Sequence, residues 1–443
     1  MEKFIIQGGK PLIGEIEVSG CKNAATPILT ATLLTDKPCI IDNLPLVEDV
    51  LKMIEILKSM GSQVQWLGER KVKIQNKDID PGKLNQKLVC QMRSSVLLLG
   101  PILARFSRIK IAQPGGCIIG VRSIDVHLDA FRKMGADIEE GANFFNLKVN
   151  PVRNKSPKAT AASTMWISNG VKNQLLGNEI VLKEFSVTAT ENILMAAALA
   201  EGKTTIKIAA AEPHVQDLCH FLQKMGAKIQ GAGTHTLKII GQKKLKGAEH
   251  FLIYDPVEAG TYMIMAAASR GKVRIKNTPI SYLDLVLEKF QEFKIPFVLN
   301  GKNSIQVEPW QELKIDKVQC LPYPGIPTDL QSAFGVLATQ SPGSTLIHDP
   351  LYEGRLKYLE ELNKMGAEII ICDPHRAIVN GPTKLYGAEL GTIDLRGGAA
   401  LVIAGLVANG KTVIKNIAQI DRGYEKIEEK LKKLGADIKR VNG

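Results

Sequence analysis

The sequence predicts an α/β protein of two domains, each built from three copies of one repeating unit. The first observation is a recurring phrase, Lys-Met-Gly-Ala or a close variant, found at Gly61, Gly135, Gly226, Gly366 and Gly435 and in degraded form at Lys294. Copies about seventy residues apart indicate a structural repeat. Second, each unit carries an apolar helix without a polar face, which must be buried. Third, 443 residues exceed what one hydrophobic core normally organises.

Every unit has the same order of elements. A buried helix precedes a short strand, then come an amphipathic helix that ends at a glycine and a further strand. We expect the buried helices at residues 23–34, 93–104, 190–200, 260–269, 330–339 and 397–408. About twenty extra residues in the third unit, at 150–173, are typical of an exposed insertion. We expect the first domain to end with the third repeat, near 241–253.

The amino-acid composition indicates which kinds of ligand and partner the protein binds. The chain has 57 Lys and Arg against 45 Asp and Glu, and the net charge of +12 favours a substrate that carries phosphate or carboxylate groups. Only 5% of the residues are aromatic and the basic residues are scattered, so we expect no nucleic-acid partner. Seven cysteines without a Cys-x-x-Cys pair indicate a reduced, cytoplasmic protein. We also expect no membrane span, no metal and no cofactor.

Polar and charged residues gather just before the buried helices. Helix N-termini carry partial positive charge and free N–H groups, so several of them around one cleft would form an anion site. Cations there, such as Lys22, Arg93 and Arg396, oppose the helix dipole and need an anionic ligand or partner. Ser186, Thr190 and Thr328 could equally be plain N-caps.

A glycine-rich stretch at 113–125 is a candidate for a reactive loop. It places Cys117 five residues before Arg122, whose charge would lower the pKa of a nearby thiol. Pro114 and three glycines break both helix and strand periodicity, so the segment is expected to be a loop. The alternative is a surface turn with an inert, buried cysteine.

Five motifs together resemble one family, the UDP-N-acetylglucosamine 1-carboxyvinyltransferases, which are enolpyruvyl transferases. They lie at residues 19–29, 113–122, 324–331, 393–396 and 420–425. The resemblance implies two inside-out α/β barrel-like domains, each with three pseudo-symmetric repeats. It assigns residues 21–253 to the N-terminal domain, and residues 1–20 plus 254–443 to the C-terminal domain. The cleft between them would bind UDP-N-acetylglucosamine and phosphoenolpyruvate, in the first committed step of peptidoglycan synthesis.

The resemblance also implies site residues. Cys117 would protonate the methylene carbon of phosphoenolpyruvate and be the target of fosfomycin, and Asp329 would take the proton of the sugar 3-hydroxyl. The cations would hold phosphoenolpyruvate, with Lys22, Arg122 and Arg422 on its phosphate and Arg355 and Arg396 on its carboxylate. Asp394 would orient these cations. The sugar nucleotide would contact Asn23, Arg93, Ser186, Val187, Asp329 and Leu351, with Ile124 and His127 at the uridine end. Addition of an alcohol to an enol ether independently requires such an acid, a base and fixed cations.

The chain departs from the family pattern mainly on the nucleotide side. Thr188 stands where the family has glycine, Pro256 replaces an arginine, and Gly354 replaces an asparagine. These changes leave open a sugar-nucleotide-binding paralogue with little catalysis. The related 5-enolpyruvylshikimate-3-phosphate synthase is a second alternative, although its pattern lacks the cysteine loop. We expect a monomer or a weak homo-oligomer.

Overall fold

Six small β-sheets, one for each predicted repeat, organise the protein. The computed structural model describes residues 2–115, 120, 123–149 and 174–442. Within these ranges, five sheets have four strands and one has three. The predicted insertion at 150–173 lies outside the described residues.

Three sheets belong to the first half of the chain. In sheet order, the strands are β13 (Glu249–Phe251), β3 (Cys39–Asp42), β5 (Lys71–Gln75) and β4 (Gln63–Gly68); β6 (Arg108–Ala112), β8 (Phe144–Val149) and β7 (Ala136–Glu140); and β11 (Lys228–Gln230), β12 (Thr236–Ile240), β10 (Lys203–Lys207) and β9 (Glu179–Val181).

The other three sheets follow the same plan. Their strands are β15 (Phe297–Leu299), β16 (Ser304–Val307), β14 (Lys272–Lys276) and β2 (Ile13–Glu17); β17 (Lys317–Gln319), β18 (Gly343–His348), β20 (Arg376–Gly381) and β19 (Glu368–Asp373); and β21 (Glu389–Gly391), β22 (Lys411–Lys415), β1 (Glu2–Gln7) and β23 (Asp437–Asn442).

Six helices form the inside of the molecule, one per unit: α1 (Lys22–Ala31), α4 (Leu99–Phe106), α6 (Val187–Ala197), α8 (Pro256–Ala268), α10 (Thr328–Ala338) and α12 (Leu395–Val407). All thirteen residues of α8 are buried. Helices α8, α10 and α12 contact one another, while α4 packs on α6. Helices lie inside and sheets outside because these helices have no polar face to give to water.

The remaining helices are amphipathic or short. The amphipathic ones are α2 (Glu48–Ser59), α5 (Asp125–Lys133), α7 (Pro213–Lys224), α9 (Asp284–Glu292), α11 (Tyr358–Lys364) and α14 (Ile427–Lys433); the two short ones are α3 (Gln86–Val89) and α13 (Ala418–Asp421). At the turn that ends each unit's amphipathic helix, the recurring glycine has positive φ, for example 106° at Gly61 and 86° at Gly435. In the degraded copy Lys294 takes the same left-handed conformation, with φ of 61°. The repeated glycine is thus explained by backbone geometry.

The inner helices begin one to four residues earlier than predicted, except in the second unit. Ser186, Asp255 and Asp394 are the N-caps of α6, α8 and α12, so the polar residues that follow them lie inside the first turn. The predicted helix at 93–104 is instead a 3₁₀ segment, Arg93–Leu98, followed by α4. Pro101 lies in the first turn of α4, where its missing N–H costs no hydrogen bond within the helix, so the α-helix begins shortly before it.

The two halves have separate hydrophobic cores. One core runs from Cys21 to Leu252, and the other combines Phe4–Val18 with residues from Val257 to Ile438. Strand β1 lies between β22 and β23, and β2 pairs with β14, so the N-terminus completes two sheets of the second half. These facts support the predicted domain division, whose limits at 20/21 and 253/254 stay a prediction.

Candidate active site

The chain passes twice between the two halves, and the two crossings lie side by side. Gly20 forms an antiparallel bridge with Tyr254, flanked by hydrogen bonds from Cys21 N to Ile253 O (2.8 Å) and from Asp255 N to Ser19 O (2.9 Å). A side chain at Gly20 is excluded, since a Cβ there would lie 1.8 Å from the carbonyl oxygen of Asn43. The crossings lead directly into α1 and α8, and so bring helix N-termini from both halves together.

Asp49 links two predicted phosphate-binding cations. Its Oδ2 lies 2.8 Å from Lys22 Nζ, and its Oδ1 accepts a hydrogen bond from Arg422 Nε at 3.0 Å. Burial would raise the pKa of Asp49, but the charges of Lys22 and Arg422 outweigh burial and hold this pKa below its usual value. No sequence pattern distinguishes Asp49, because an acidic residue in the first turn of a helix is common.

Asp329, in the first turn of α10, lies between two further cations. Its Oδ1 accepts from Arg355 Nη2 at 2.8 Å and its Oδ2 from Arg396 Nε at 3.1 Å. Burial would raise its pKa, yet Arg396, Arg355 and Lys22 together lower the pKa of Asp329 far below its ordinary value. The charge of Lys22 thus lowers the pKa of both carboxylates, Asp49 and Asp329. We call this set the charged cluster: Lys22, Asp49, Asp329, Arg355, Arg396 and Arg422.

The two arginines beside Asp329 are buried. Arg355 also donates to Thr328 Oγ1 at 3.1 Å and lies 3.6 Å from Asp394. Asp394 caps α12 by accepting from the N–H groups of Arg396 and Gly397, whereas the side chain of Arg396 contacts Asp329. Nη1 of Arg396 is buried without a hydrogen-bond partner among the described residues.

A second region, at the start of α6, is uncharged. We call His127, Thr188 and Asn192 the neutral network. The Asn192 amide is oriented by two backbone groups, because Gly100 N–H donates to Oδ1 (2.8 Å) and Nδ2 donates to Val96 O (2.9 Å). Nδ2 also lies 2.9 Å from His127 Nδ1, which must therefore accept. The ring proton is then on Nε2 and is donated to Thr188 Oγ1 at 3.2 Å.

The imidazole of this network stays neutral. Burial, and after it the charge of Arg93, lowers the pKa of His127 to about 3. Arg93 Nη2 itself contacts Ser123 O at 3.3 Å, just before α5. Ile124, also predicted at the uridine end, is buried at the start of α5.

The remaining predicted residues divide into four groups. Ser186 is confirmed as an N-cap, accepting from Ala189 N, while Val187 is half-buried in the same turn. Thr190 and Thr328 lie within α6 and α10, so the interpretation of these two residues as N-caps is wrong. Asn23 and Leu351 are half-buried, and Leu351 N donates to Asp349 Oδ1. Cys117 and Arg122 lie outside the described residues.

The described ranges contain no group of three or more His, Cys, Asp or Glu side chains able to hold a metal ion. In the same part of the chain, no helix is long and apolar enough to cross a membrane.

Fold comparisons define the class of protein. Residues 6–431 match the family model "EPSP synthase (3-phosphoshikimate 1-carboxyvinyltransferase)". The structure is similar to the enolpyruvyl transferase NikO from Streptomyces tendae, with a TM-score of 0.86 and 22% identity, covering 100% of this chain and 99% of that one. It is also similar to an EPSP synthase from Acinetobacter baumannii, with a TM-score of 0.73, 18% identity and 100% coverage of both chains. The predicted enolpyruvyl transferase fold is confirmed.

Relatives at higher identity define the family more narrowly. A UDP-N-acetylglucosamine 1-carboxyvinyltransferase from Carboxydothermus hydrogenoformans is 43% identical, covering 100% of this chain and 99% of the relative. Relatives with this name from Coxiella burnetii and Koribacter versatilis are 42% and 41% identical, covering 100% of this chain and 96% and 97% of their own lengths. The chain belongs to the UDP-N-acetylglucosamine 1-carboxyvinyltransferase family.

Proposed function

We propose that the protein transfers the enolpyruvyl group of phosphoenolpyruvate to the 3-hydroxyl of UDP-N-acetylglucosamine and releases phosphate. This is the first committed step of peptidoglycan synthesis. The observation that carries the proposal is the charged cluster, in which a partly accessible carboxylate, Asp329, lies among cations from both halves of a chain of this family. Phosphoenolpyruvate carries a phosphate and a carboxylate, which match two groups of cations.

The proposed reaction is an addition followed by an elimination. Asp329 removes the proton of the sugar 3-hydroxyl, whose oxygen attacks C2 of phosphoenolpyruvate. Cys117 gives a proton to C3, which becomes a methyl group, and the intermediate still carries phosphate. Loss of phosphate from C2 and return of one proton from C3 to the Cys117 thiolate restore the double bond. General acid and base catalysis each contribute on the order of a hundredfold to ten-thousandfold.

The low pKa of Asp329 fits a base that is switched on by substrate. While Arg355 and Arg396 both face the carboxylate, it is a weak base. A bound substrate carboxylate would partly neutralise the two arginines, so the pKa of Asp329 would rise and its basicity would increase. Lys22, Arg122 and Arg422 are proposed to hold the phosphate, and Arg355 and Arg396 the carboxylate.

We assign the sugar nucleotide to a path from Asp329, where its 3-hydroxyl reacts, to the uridine end beside the neutral network. Asn23, Arg93, Ser186, Val187, Asp329 and Leu351 are proposed to contact it, with Ile124 and His127 lining the uridine end. The reaction as proposed uses neither metal nor cofactor. We further propose a cytoplasmic enzyme, monomeric or weakly associating, without a nucleic-acid or membrane partner; the net charge of +12 is assigned to anionic substrates.

A phosphate-release assay tests this function. The full chain with phosphoenolpyruvate and UDP-N-acetylglucosamine should release one phosphate per enolpyruvyl sugar nucleotide, identified by mass spectrometry. Release that needs shikimate 3-phosphate instead would identify the related synthase. Tight calorimetric binding of the sugar nucleotide without turnover would identify a binding paralogue and contradict the proposal.

The proposed acid has its own test. Cys117→Ser should remove most of the activity and all labelling by fosfomycin, because a hydroxyl is a far weaker acid and nucleophile than a thiol. Peptide mass spectrometry of the labelled wild type should find one modified cysteine. Label on Cys219 or Cys372 instead would refute the assignment; Cys372→Ser, at an exposed position, is the control and should change nothing.

A further inference from the structure

Asp49 is the one member of the charged cluster that the proposed reaction leaves without a task. The carboxylate is nearly sealed, with 4% of its side chain exposed, whereas Lys22 and Arg422 in front of it are 15% and 16% exposed. Solvent and substrate therefore reach the cations and not the carboxylate. A direct contact between Asp49 and an anionic substrate would also be repulsive.

The two cations that Asp49 joins come from opposite halves of the molecule. Lys22 begins α1, while Arg422 directly follows α13. Because like charges repel, the two can stay close before an anion binds only if another negative charge lies between them. Asp49 supplies that charge, and its lowered pKa keeps it ionised at neutral pH.

A second ion pair of reversed polarity anchors the same segment. Glu425 accepts from Arg70 Nη1 and Nη2 at 2.7 and 2.6 Å, and from Leu46 N at 3.0 Å. Here the first half supplies the cation and the second half the carboxylate. The segment that carries Arg422 is thus held to the first half by two ion pairs.

We infer that Asp49 is a positioning residue that holds Lys22 and Arg422, one from each half of the protein, side by side for the phosphate of the substrate. The inference rests on the proposed function, which assigns that phosphate to these two cations. It predicts that loss of the Asp49 charge weakens binding of phosphoenolpyruvate selectively. Binding of UDP-N-acetylglucosamine should be spared, because the neutral network lies on other elements.

The test compares Asp49→Asn with Glu48→Gln, its neighbour in the same turn. Glu48 pairs with Lys52 at the surface and is 39% exposed, so it matches Asp49 in position without facing the cations. Asp49→Asn should raise the KM for phosphoenolpyruvate about tenfold or more, as expected when a hydrogen bond to a charged group is lost. The KM for UDP-N-acetylglucosamine should stay within about twofold, and Asp49→Glu should recover part of the loss. Glu48→Gln should change neither constant.

Two results would overturn the inference. One is an unchanged KM for phosphoenolpyruvate in Asp49→Asn; the other is an equal rise in both constants together with a lower Tm, which indicates a purely structural residue. If Asp49→Asn does not fold, Glu425→Gln replaces it in the test. We then expect a smaller rise in the KM for phosphoenolpyruvate only, and the absence of any rise would contradict the inference. If the wild type transfers no enolpyruvyl group, the proposed function fails. Calorimetric binding of phosphoenolpyruvate alone to wild type and variant then judges the positioning role.

Discussion

The two sides of the site are built from different chemistry. The charged cluster consists of ionised groups contributed by both halves, with every cation contacting a carboxylate. The neutral network is contained in the first half, and its imidazole is kept uncharged by burial. Charged groups orient and activate a small, highly charged substrate, whereas uncharged donors with fixed protons select the shape of a larger one. We therefore expect variants of the charged cluster and of the neutral network to differ in which kinetic constants they change and in how their stability depends on pH.

The largest effect is expected at Asp329. Asp329→Asn keeps the size of the side chain but removes the base, so kcat should fall about a hundredfold to ten-thousandfold with smaller changes in both KM values. Steady-state kinetics measure this. Asp373→Asn, which breaks an exposed pair with Arg376, is the control and should retain full activity. If Asp329→Asn keeps the wild-type kcat, Asp329 is not the general base.

The charged cluster and the neutral network should also differ in how their groups make the free energy of unfolding depend on pH. The folded pKa of His127, about 3, lies below its ordinary value of 6.5, so between these values the unfolded state binds the extra proton and stability falls as the pH falls. Asp49 has a folded pKa below the usual 3.8, so its stabilisation is present above that value and is lost only as the pH falls through the folded pKa.

His127→Asn should therefore flatten the stability profile between about pH 6 and 4, by up to about 1.4 kcal/mol per pH unit. Asp49→Asn should leave that slope intact and change the profile only near pH 4 and below. Urea unfolding at a series of pH values measures both. Burial lowers the pKa of His214 to about 4, although the charge of Asp329 acts in the opposite direction. The contribution of His214 to the pH dependence of stability is the same in both variants. Identical profiles for the two variants would contradict the assigned charge states.

The smallest effect is expected at Thr188. With His127 Nε2 donating to its oxygen, the hydroxyl proton of Thr188 is directed away from the imidazole. Thr188→Val preserves shape but removes this donor, so the KM for UDP-N-acetylglucosamine should rise by less than about tenfold while kcat stays unchanged. Thr188→Ser should behave as wild type. An equal loss in the serine variant would mean that the methyl group, not the hydroxyl, matters.

Much of the fold follows from local rules visible in the sequence. The repeated glycine and the apolar helices predict six equivalent units, and the described part of the chain contains six sheets and six inner helices. The helix starts were less accurate, because the polar residues around Ser186, Asp255 and Asp394 could stand before or inside the first turn. Only the backbone geometry shows which residue is the cap.

The site was predicted in part. Lys22, Asp329, Arg396 and Arg422 belong to the motifs, and Arg355 was predicted from the family resemblance. The structure brings all five together. Asp49 gave no signal, since its partner Arg422 is 373 residues away and an acidic first-turn residue is common. Asn192 did leave one: an amide in a helix that is predicted to be buried needs buried hydrogen-bond partners, and such a residue often orients a neighbour.

The separation of the two sides can be tested most directly by measuring both Michaelis constants in Asp49→Asn and Thr188→Val. We expect Asp49→Asn to raise the KM for phosphoenolpyruvate only and Thr188→Val to raise the KM for UDP-N-acetylglucosamine only. If both variants raise the same constant, or each raises the two constants equally, the division between the charged cluster and the neutral network is wrong.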